Sequence, residues 1–430
     1  MLYKIKQILR KIIPYDFILL THKFRAVLAA VIYGFPGKKI RAIGIAGTKG
    51  KTTTANMIAK ILEEGGHKVA MLSTANFQIG EKKWLNDIKL TTTSPFYFQK
   101  FLAKAVREKC DYAIVEISSH GLVQYRHWGV PYKTVVLTNM MSDHLDYHKT
   151  YENYKNSHNA LVTPDLENII INYDDENLRS FLDFSAPNKY AFSLKGYGEI
   201  ENIKLIKADD IISKKEGLGF LIKTNKGKMP MELPLIGEFN IYNSLAATAA
   251  GLAENIKPLA IKKALESIKN IPGRLEKIDE GQNFEVIVDY AHSPDSLKNV
   301  YSAVKPMVKN RMIAVLGGTG DRDKTYRAKG GALADEYADI IIVTNEDPYS
   351  EDPESVIKQV LSGIKNKKLD ENLFRVSDRK KAIEKAINMA SEGDLVIITG
   401  KGAEQFMICG EKKVPWDDRE IARDFLRKIK

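Results

Sequence analysis

The residues Gly47-Thr48-Lys49-Gly50-Lys51-Thr52-Thr53-Thr54 are of the types that hold a phosphate. Their glycines let backbone N–H groups turn inward around an anion, Lys51 can reach terminal phosphates, and the Thr52 hydroxyl can serve Mg²⁺. An apolar run over 42–46 reads as a buried strand, and 55–62 has helical periodicity, so a helix N-terminus would add partial positive charge at the loop. The strict phosphate-loop pattern asks for a glycine five residues before Gly50, where Ile45 stands. A plain glycine turn before a helix is the alternative reading. Further along, Glu116, Ser118, Ser119, His120, Thr138 and Asn139 gather carboxylate, hydroxyl, amide and imidazole groups at the ends of apolar runs.

Those groups need a scaffold, and the chain shows two. Strands are expected over 68–72, 112–117, 135–139 and 168–172, with a helix over 98–107; alternation of this kind predicts a parallel sheet with crossover helices. In such sheets ligands bind at the carboxyl ends of the strands, where the polar residues fall. Residues 201–235 partly alternate apolar and polar around a hairpin tip at 223–228 and read as antiparallel strands, followed by a helix over 242–255. After Pro272-Gly273-Arg274 a second series begins, with strands over 285–290, 312–316, 340–344 and 395–399. The expected fold is α/β. It comprises a basic amphipathic helical leader (1–38), a P-loop-type central domain with a mostly parallel sheet (39–272) and a doubly wound, Rossmann-like C-terminal domain (273–430).

The bulk properties agree with a multidomain globular protein: 430 residues, 44% apolar, formal net charge +11. No basic run interleaved with aromatics points to nucleic acid, so phosphorylated ligands are the simpler account of the charge. Two cysteines far apart, Cys110 and Cys409, fit a reducing compartment and lack metal-ligand spacing. No secretory signal or membrane-spanning run is read, and a cytoplasmic location is expected. In the leader, Leu2, Ile5, Ile8, Leu9, Ile12 and Ile13 share a helical face with Lys4, Lys6, Arg10 and Lys11 around it; Pro14 ends that helix, and a second apolar piece runs from Ala26 to Phe35. It reads as an arm packed on the next domain or as a segment touching an anionic membrane surface through residues 1–35.

The order of the motifs resembles one family, the Mur ligases, whose ATP loop shares the departure at Ile45. Thr91-Thr92, Glu116-Ile117-Ser118-Ser119-His120-Gly121-Leu122, Asp143-His144-Leu145-Asp146-Tyr147-His148 and Gly237-Glu238-Phe239-Asn240-Ile241-Tyr242-Asn243 follow in the family's order. So do Pro272-Gly273-Arg274, Asp289-Tyr290-Ala291-His292-Ser293-Pro294-Asp295, Gly320-Asp321-Arg322-Asp323, Glu346-Asp347-Pro348-Tyr349 and Gly400-Lys401-Gly402-Ala403-Glu404. The likeness is nearest to the MurE type, which adds the third amino acid to a muramoyl peptide. It implies an ATP-dependent amide ligase of peptidoglycan precursor synthesis: a carboxylate takes the γ-phosphoryl of ATP, and an amine then displaces phosphate. The partners implied are a muramoyl peptide, UDP-linked, and a free amino acid, handled by a monomer with ATP and Mg²⁺. A related ligase on another carboxylate, of folylpolyglutamate or pseudomurein type, and a catalytically impaired nucleotide-binding scaffold are the alternatives.

By resemblance, Gly47, Thr48, Lys49, Gly50, Lys51, Thr52, Thr53, Asn243, Arg274, Asp289 and His292 contact the nucleotide. Thr52, Glu116 and His144 bind metal, and Lys51, Glu116, His144 and His158 form the catalytic set. Thr91, Thr92, Ser118, Ser119 and Arg126 hold the acceptor; Arg322, Asp347, Tyr349, Gly400 and Glu404 form the amino-acid pocket. Taken alone, His144 reads as a structural histidine, Asn243 as a helix cap, Arg274 as a linker ion-pair partner, and the threonines as turn residues. Departures from the family's pattern stand out. Only the leader precedes the ATP domain, where the family carries a UDP-gripping domain; a lipid-linked acceptor would suit a basic arm. His158 occupies the position of a carbamylated lysine, with Lys155 one turn earlier. Tyr349 replaces the arginine that grips diaminopimelate, so Glu346 and Asp347 suit a cationic side chain such as lysine or ornithine. Ser142 replaces an arginine, and Ala403 a histidine.

Overall fold

Eleven strands form one sheet: β1 (Arg41–Ala46), β2 (Val69–Leu72), β3 (Asn76–Ile79), β4 (Lys82–Leu85), β5 (Tyr112–Glu116), β6 (Tyr132–Leu137), β7 (Asn168–Asn172), β8 (Asn188–Ser193), β9 (Lys204–Lys214), β10 (Gly217–Thr224) and β11 (Gly227–Leu233). This computed structural model describes residues 14–141, 144–214 and 217–429. The first leader helix read from sequence, and Ser142, lie outside the described residues. The strand order is β11-β10-β9-β8-β7-β6-β1-β5-β2-β3-β4. The pairs from β9 through to β2 are all parallel, and antiparallel strands extend both edges. Every residue of β2, β5 and β7 is buried, as continuous apolar strands covered on both faces should be.

On one face lie the helices Lys51–Glu64 and Phe239–Ala253. The second is rich in alanine, and a Cβ added at its Gly251 would come within 2.8 Å of Ile61, so the two helix backbones pack closely. On the other face, Pro95–Arg107 buries Phe98, Phe101, Leu102 and Ala105. Its start is written in Ser94-Pro95: the serine side chain accepts the Tyr97 N–H, and proline occupies the first turn, where its missing donor costs nothing.

The second sheet holds β12 (Glu276–Lys277), β13 (Glu285–Asp289), β14 (Met312–Leu316), β15 (Ile340–Val343), β16 (Leu373–Arg375) and β17 (Leu395–Thr399), in the order β12-β13-β17-β14-β15-β16. All pairs but β12–β13 are parallel, and core residues cover both faces, so the sheet is doubly wound. A hairpin of β18 (Phe406–Cys409) and β19 (Lys412–Pro415) lies beyond it. No helix among the described residues is long and apolar enough to cross a membrane. The carboxyl ends of β1, β2, β5 and β6 in the first sheet and of β13, β14, β15 and β17 in the second line one common cavity.

Candidate active site

The cavity measures about 720 Å³. At one end β1 runs straight into the loop 47–50, and the helix Lys51–Glu64 starts immediately after it. Ile45 is fully buried inside β1, paired to both β5 and β6, so the loop begins only after the strand ends. Gly47 has φ +127° and Gly50 φ +83°; a Cβ at the first would meet Thr138 Oγ1 at 2.4 Å, and at the second Asn243 Oδ1 at 2.3 Å. Any other residue at either position is both strained and blocked. Lys51 Nζ donates to the Gly47 and Thr48 carbonyls, each at 2.8 Å, which folds its ammonium over the loop. Asn139 Oδ1 accepts the Lys49 N–H at 2.8 Å, and Thr138 Oγ1 donates to the Lys49 carbonyl at 2.7 Å.

Glu116 is the hub behind this loop. It is buried at the end of β5 and accepts from Thr52 Oγ1 at 2.9 Å, from the Thr74 N–H at 2.7 Å and from Thr74 Oγ1 at 2.8 Å. Thr52 and Glu116 together present adjacent hydroxyl and carboxylate oxygens, the hard donor set that suits Mg²⁺. Arg274 crosses from the second sheet and donates to Thr52 Oγ1 at 3.1 Å while its guanidinium lies 4.3 Å from the centre of the Tyr290 ring. Lys49 Nζ reaches the other way, donating to Ser293 Oγ at 3.0 Å. Asp289 is buried and accepts the Leu275 and Ala291 N–H groups, each at 2.7 Å, so it shapes the turn that carries His292 and Ser293. Burial raises the Asp289 carboxyl above its ordinary range against the pull of Arg274. Asn243 Nδ2 donates to Asn240 Oδ1 at 2.9 Å within its helix.

The wall beyond Glu116 is built on the segments after β2, β4, β5 and β6. Thr92 Oγ1 accepts the Ser118 N–H at 2.9 Å, and Arg126 Nη1 donates to the Thr92 carbonyl at 2.7 Å. The hydroxyls of Thr74 and Thr91 lie 2.9 Å apart, and Ser119 Oγ lies 2.9 Å from His148 Nε2. His144, in left-handed backbone at φ 55°, places its ring 4.9 Å from that of His120. Among the described residues no three His, Cys, Asp or Glu side chains cluster as a metal site. The structure places Thr52 with Glu116, and His144 lines the same cavity beside His120. His158 is buried in the turn His158–Leu161, where its Nδ1 lies 3.0 Å from the Tyr154 carbonyl and its Nε2 has no hydrogen-bond partner among the described residues. Burial pushes this imidazole down to about 4, with Lys51 and His148 adding to the effect, so it is neutral at pH 7.

At the far end two lysines meet two carboxylates. Lys401 is fully buried and donates to Asp347 at 3.0 and 3.1 Å, to Glu404 at 2.6 Å and to the Phe406 carbonyl at 3.0 Å. Lys89, on the loop before Thr91 in the first sheet's half, pairs with the same Asp347 and lies 2.9 Å from Glu404. Its ammonium sits 5.9 Å from the Tyr349 ring centre and 5.6 Å from that of Phe406. Burial alone would raise the Asp347 carboxyl; Lys401 and Lys89 more than offset it and hold it below the ordinary range. Glu346 differs: it is fully buried, accepts from Thr319 Oγ1 at 2.7 Å, and is pushed up by burial. It also backs onto Gly400, where a Cβ would fall 2.3 Å from Glu346 Oε2.

Comparison with known proteins places this geometry. Residues 45–251 match the Mur ligase middle domain, and 273–402 match the Mur ligase glutamate ligase domain. A UDP-N-acetylmuramoyl-L-alanyl-D-glutamate--2,6-diaminopimelate ligase of Clostridium botulinum is 38% identical over 95% of this chain and 82% of its own length. The chain belongs to the Mur ligase family. It is an ATP-dependent, ADP-forming amide ligase. A solved diaminopimelate ligase of the same name superposes with TM-score 0.63 at 29% identity, covering 91% of this chain and 79% of the other. A folylpolyglutamate synthase of Mycobacterium tuberculosis complexed with ADP shares the fold, with TM-score 0.69 at 18% identity over 93% and 95% of the two chains.

Of the residues named from sequence for this Mur ligase, all but Gly47, Thr92, Ser119 and His158 line the one cavity. Gly47 and Thr92 stand directly behind lining residues, Ser119 is turned to His148, and His158 is buried under Tyr154. Sequence reading missed Thr74 and Lys89. Thr74 lies just past the carboxyl end of β2, the same position rule that singled out Glu116, and could have been found by it. Lys89 sits on an irregular loop, and no periodicity or motif marks it.

Proposed function

We propose that this Mur ligase joins a diamino acid to the D-glutamyl carboxylate of a UDP-linked muramoyl dipeptide, acting in the cytoplasm as a monomer with Mg²⁺. The observation that carries the reading is that one cavity runs from the Lys51 loop to the Asp347–Glu404 pocket, with Thr91, Ser118 and Arg126 between them. Joining two anions demands charge neutralisation in a fixed place. Lys51 and Arg274 supply positive charge on either side of Thr52, and Thr52 with Glu116 would hold Mg²⁺, which adds charge stabilisation at the phosphates when bound. The acceptor carboxylate takes the γ-phosphoryl group; the incoming amine then attacks the acyl carbon, and phosphate leaves through a tetrahedral intermediate. Arg126 and the hydroxyls of Thr91 and Ser118 orient the acceptor in this scheme.

The diamino class is supported by the Lys89 ammonium, which already lies between Asp347 and Glu404 against two aromatic rings. A substrate ammonium could take the same place once Lys89 withdrew. Tyr349, which lines that pocket, offers no bidentate partner to a second carboxylate, which favours lysine or ornithine over diaminopimelate. The test is phosphate release with ATP and UDP-N-acetylmuramoyl-L-alanyl-D-glutamate, scanned over lysine, ornithine and diaminopimelate. Turnover with lysine or ornithine above that with diaminopimelate is expected. Preference for diaminopimelate removes the pocket argument, and no turnover with any of the three removes the acceptor assignment.

A further inference from the structure

The helix Tyr15–Ile32 is packed with its small side inward. Ala26, Ala29 and Ala30 are buried, on the side that meets the helix Pro95–Arg107. Its large side chains point the other way: Phe17 is 56% exposed, Leu20 60%, Phe24 66%, Leu28 39%, Val31 55% and Ile32 59%. At about 100° per residue these six fall within an arc of roughly 120°, centred opposite the alanines. With Tyr15, they make up seven of the sixteen exposed large hydrophobic side chains among the described residues, gathered on one 18-residue helix. Scattered exposed hydrophobics are ordinary; a continuous stripe of this kind marks a surface that something covers.

Charge identifies what covers it. Residues 1–38 contain seven Lys or Arg (Lys4, Lys6, Arg10, Lys11, Lys23, Arg25, Lys38) against a single acid, Asp16. Lys23 and Arg25 flank the stripe on the helical wheel, and the four upstream cations fall in the thirteen sequence positions before Pro14, outside the described residues. A second copy of the same arm would bring like charges together along the edges of the contact. An anionic bilayer meets both requirements: its headgroups pair with the flanking cations, and its acyl boundary takes the phenylalanines and leucines. The helix itself carries Asp16, Lys23 and Arg25 and does not qualify as a membrane span, which leaves it lying in the interface plane. We infer that Tyr15–Ile32 is a peripheral docking helix for an anionic lipid surface. The docked helix would stay linked to the cavity, since Tyr15 Oη lies 3.5 Å from Tyr147 Oη and the Tyr147 ring sits 4.1 Å from that of His120, which lines it.

Co-sedimentation of the full chain with vesicles of phosphatidylcholine alone, or mixed with phosphatidylglycerol, tests this. Binding is expected to the anionic vesicles only, to fall with added salt, and to weaken about tenfold or more in Phe17→Ser/Phe24→Ser, with solution turnover unchanged. Lys23→Glu/Arg25→Glu should weaken it as well, by a smaller factor. Both pairs are surface changes, and circular dichroism of each variant confirms that it remains folded. No binding to anionic vesicles, or equal binding by the serine variant, overturns the inference. So does a wild-type dimer in light scattering that the serine variant converts to monomer without any vesicle binding.

Discussion

The two ends of the cavity solve their electrostatics in opposite ways. At the phosphate loop, positive charge stands at the cavity surface: Lys51 donates to loop carbonyls, and Arg274 donates to a hydroxyl while its guanidinium lies over the Tyr290 ring, so both cations line the space where an anion would sit. At the far end, Asp347 and Glu404 are already matched by Lys89 and Lys401. A ligand ammonium there must displace an internal one. The first end is built to bind on contact and the second to bind by substitution. That makes the second end the natural place for selectivity, because a wrong side chain leaves desolvated carboxylates unpaired.

Breaking the first end should have the largest effect on turnover. Lys51→Met is expected to lower ATP-dependent phosphate release by roughly a thousandfold or more, because the charge it places on the phosphates acts in a water-poor cavity. Steady-state kinetics on the folded variant measures it, and a loss of less than tenfold would contradict the role given to Lys51. At the second end, Lys401→Met leaves the buried Asp347 and the partly buried Glu404 to share Lys89 alone. It should cost about 3–5 kcal/mol of stability, read as a shifted urea midpoint at unchanged slope.

Acid should destabilise the first sheet's half through two buried histidines. Burial pushes both His127 and His158 down to about 4, below the unfolded value near 6.5. Between those values the unfolded chain binds more protons, so stability is full above about pH 6.5 and falls as pH drops towards 4. Each histidine contributes on the order of 3 kcal/mol to that fall, and His127→Leu should remove about half of the slope in denaturation midpoint against pH. An unchanged slope would show that the His127 ring is not held neutral.

The smallest effect sharpens the contrast between the two ends. If Lys89 competes with the incoming side chain, Lys89→Ala should lower KM for the amino acid about fivefold with little change in KM for ATP, since an occupied pocket taxes apparent affinity. A raised amino-acid KM would make Lys89 a positioning residue instead.

Much of the scaffold was legible in the chain. β7, β14 and β17 coincide with the strands read from sequence, because apolar runs bounded by turn residues leave few alternatives. The β3–β4 hairpin, β8, and the parallel pairing of β9 onto β8 were not legible. Short strands with mixed polarity acquire their state from the sheet edge they join. The docking helix begins at Tyr15, well before the apolar piece that opens at Ala26, because its outward face is as apolar as its inward one and periodicity alone could not orient it.

By itself the sequence determined the order of the motifs, the phosphate loop and the two strand–helix series, since each depends on neighbours within about a turn or a strand of the same chain. Only the tertiary structure decided that Thr74 steadies Glu116, that His158 lies buried and neutral behind the cavity wall, and that Lys89 spans two halves of the molecule to reach Asp347. Those are contacts between residues tens to hundreds of positions apart. Their energies come from burial and charge pairing in three dimensions, which no local pattern encodes.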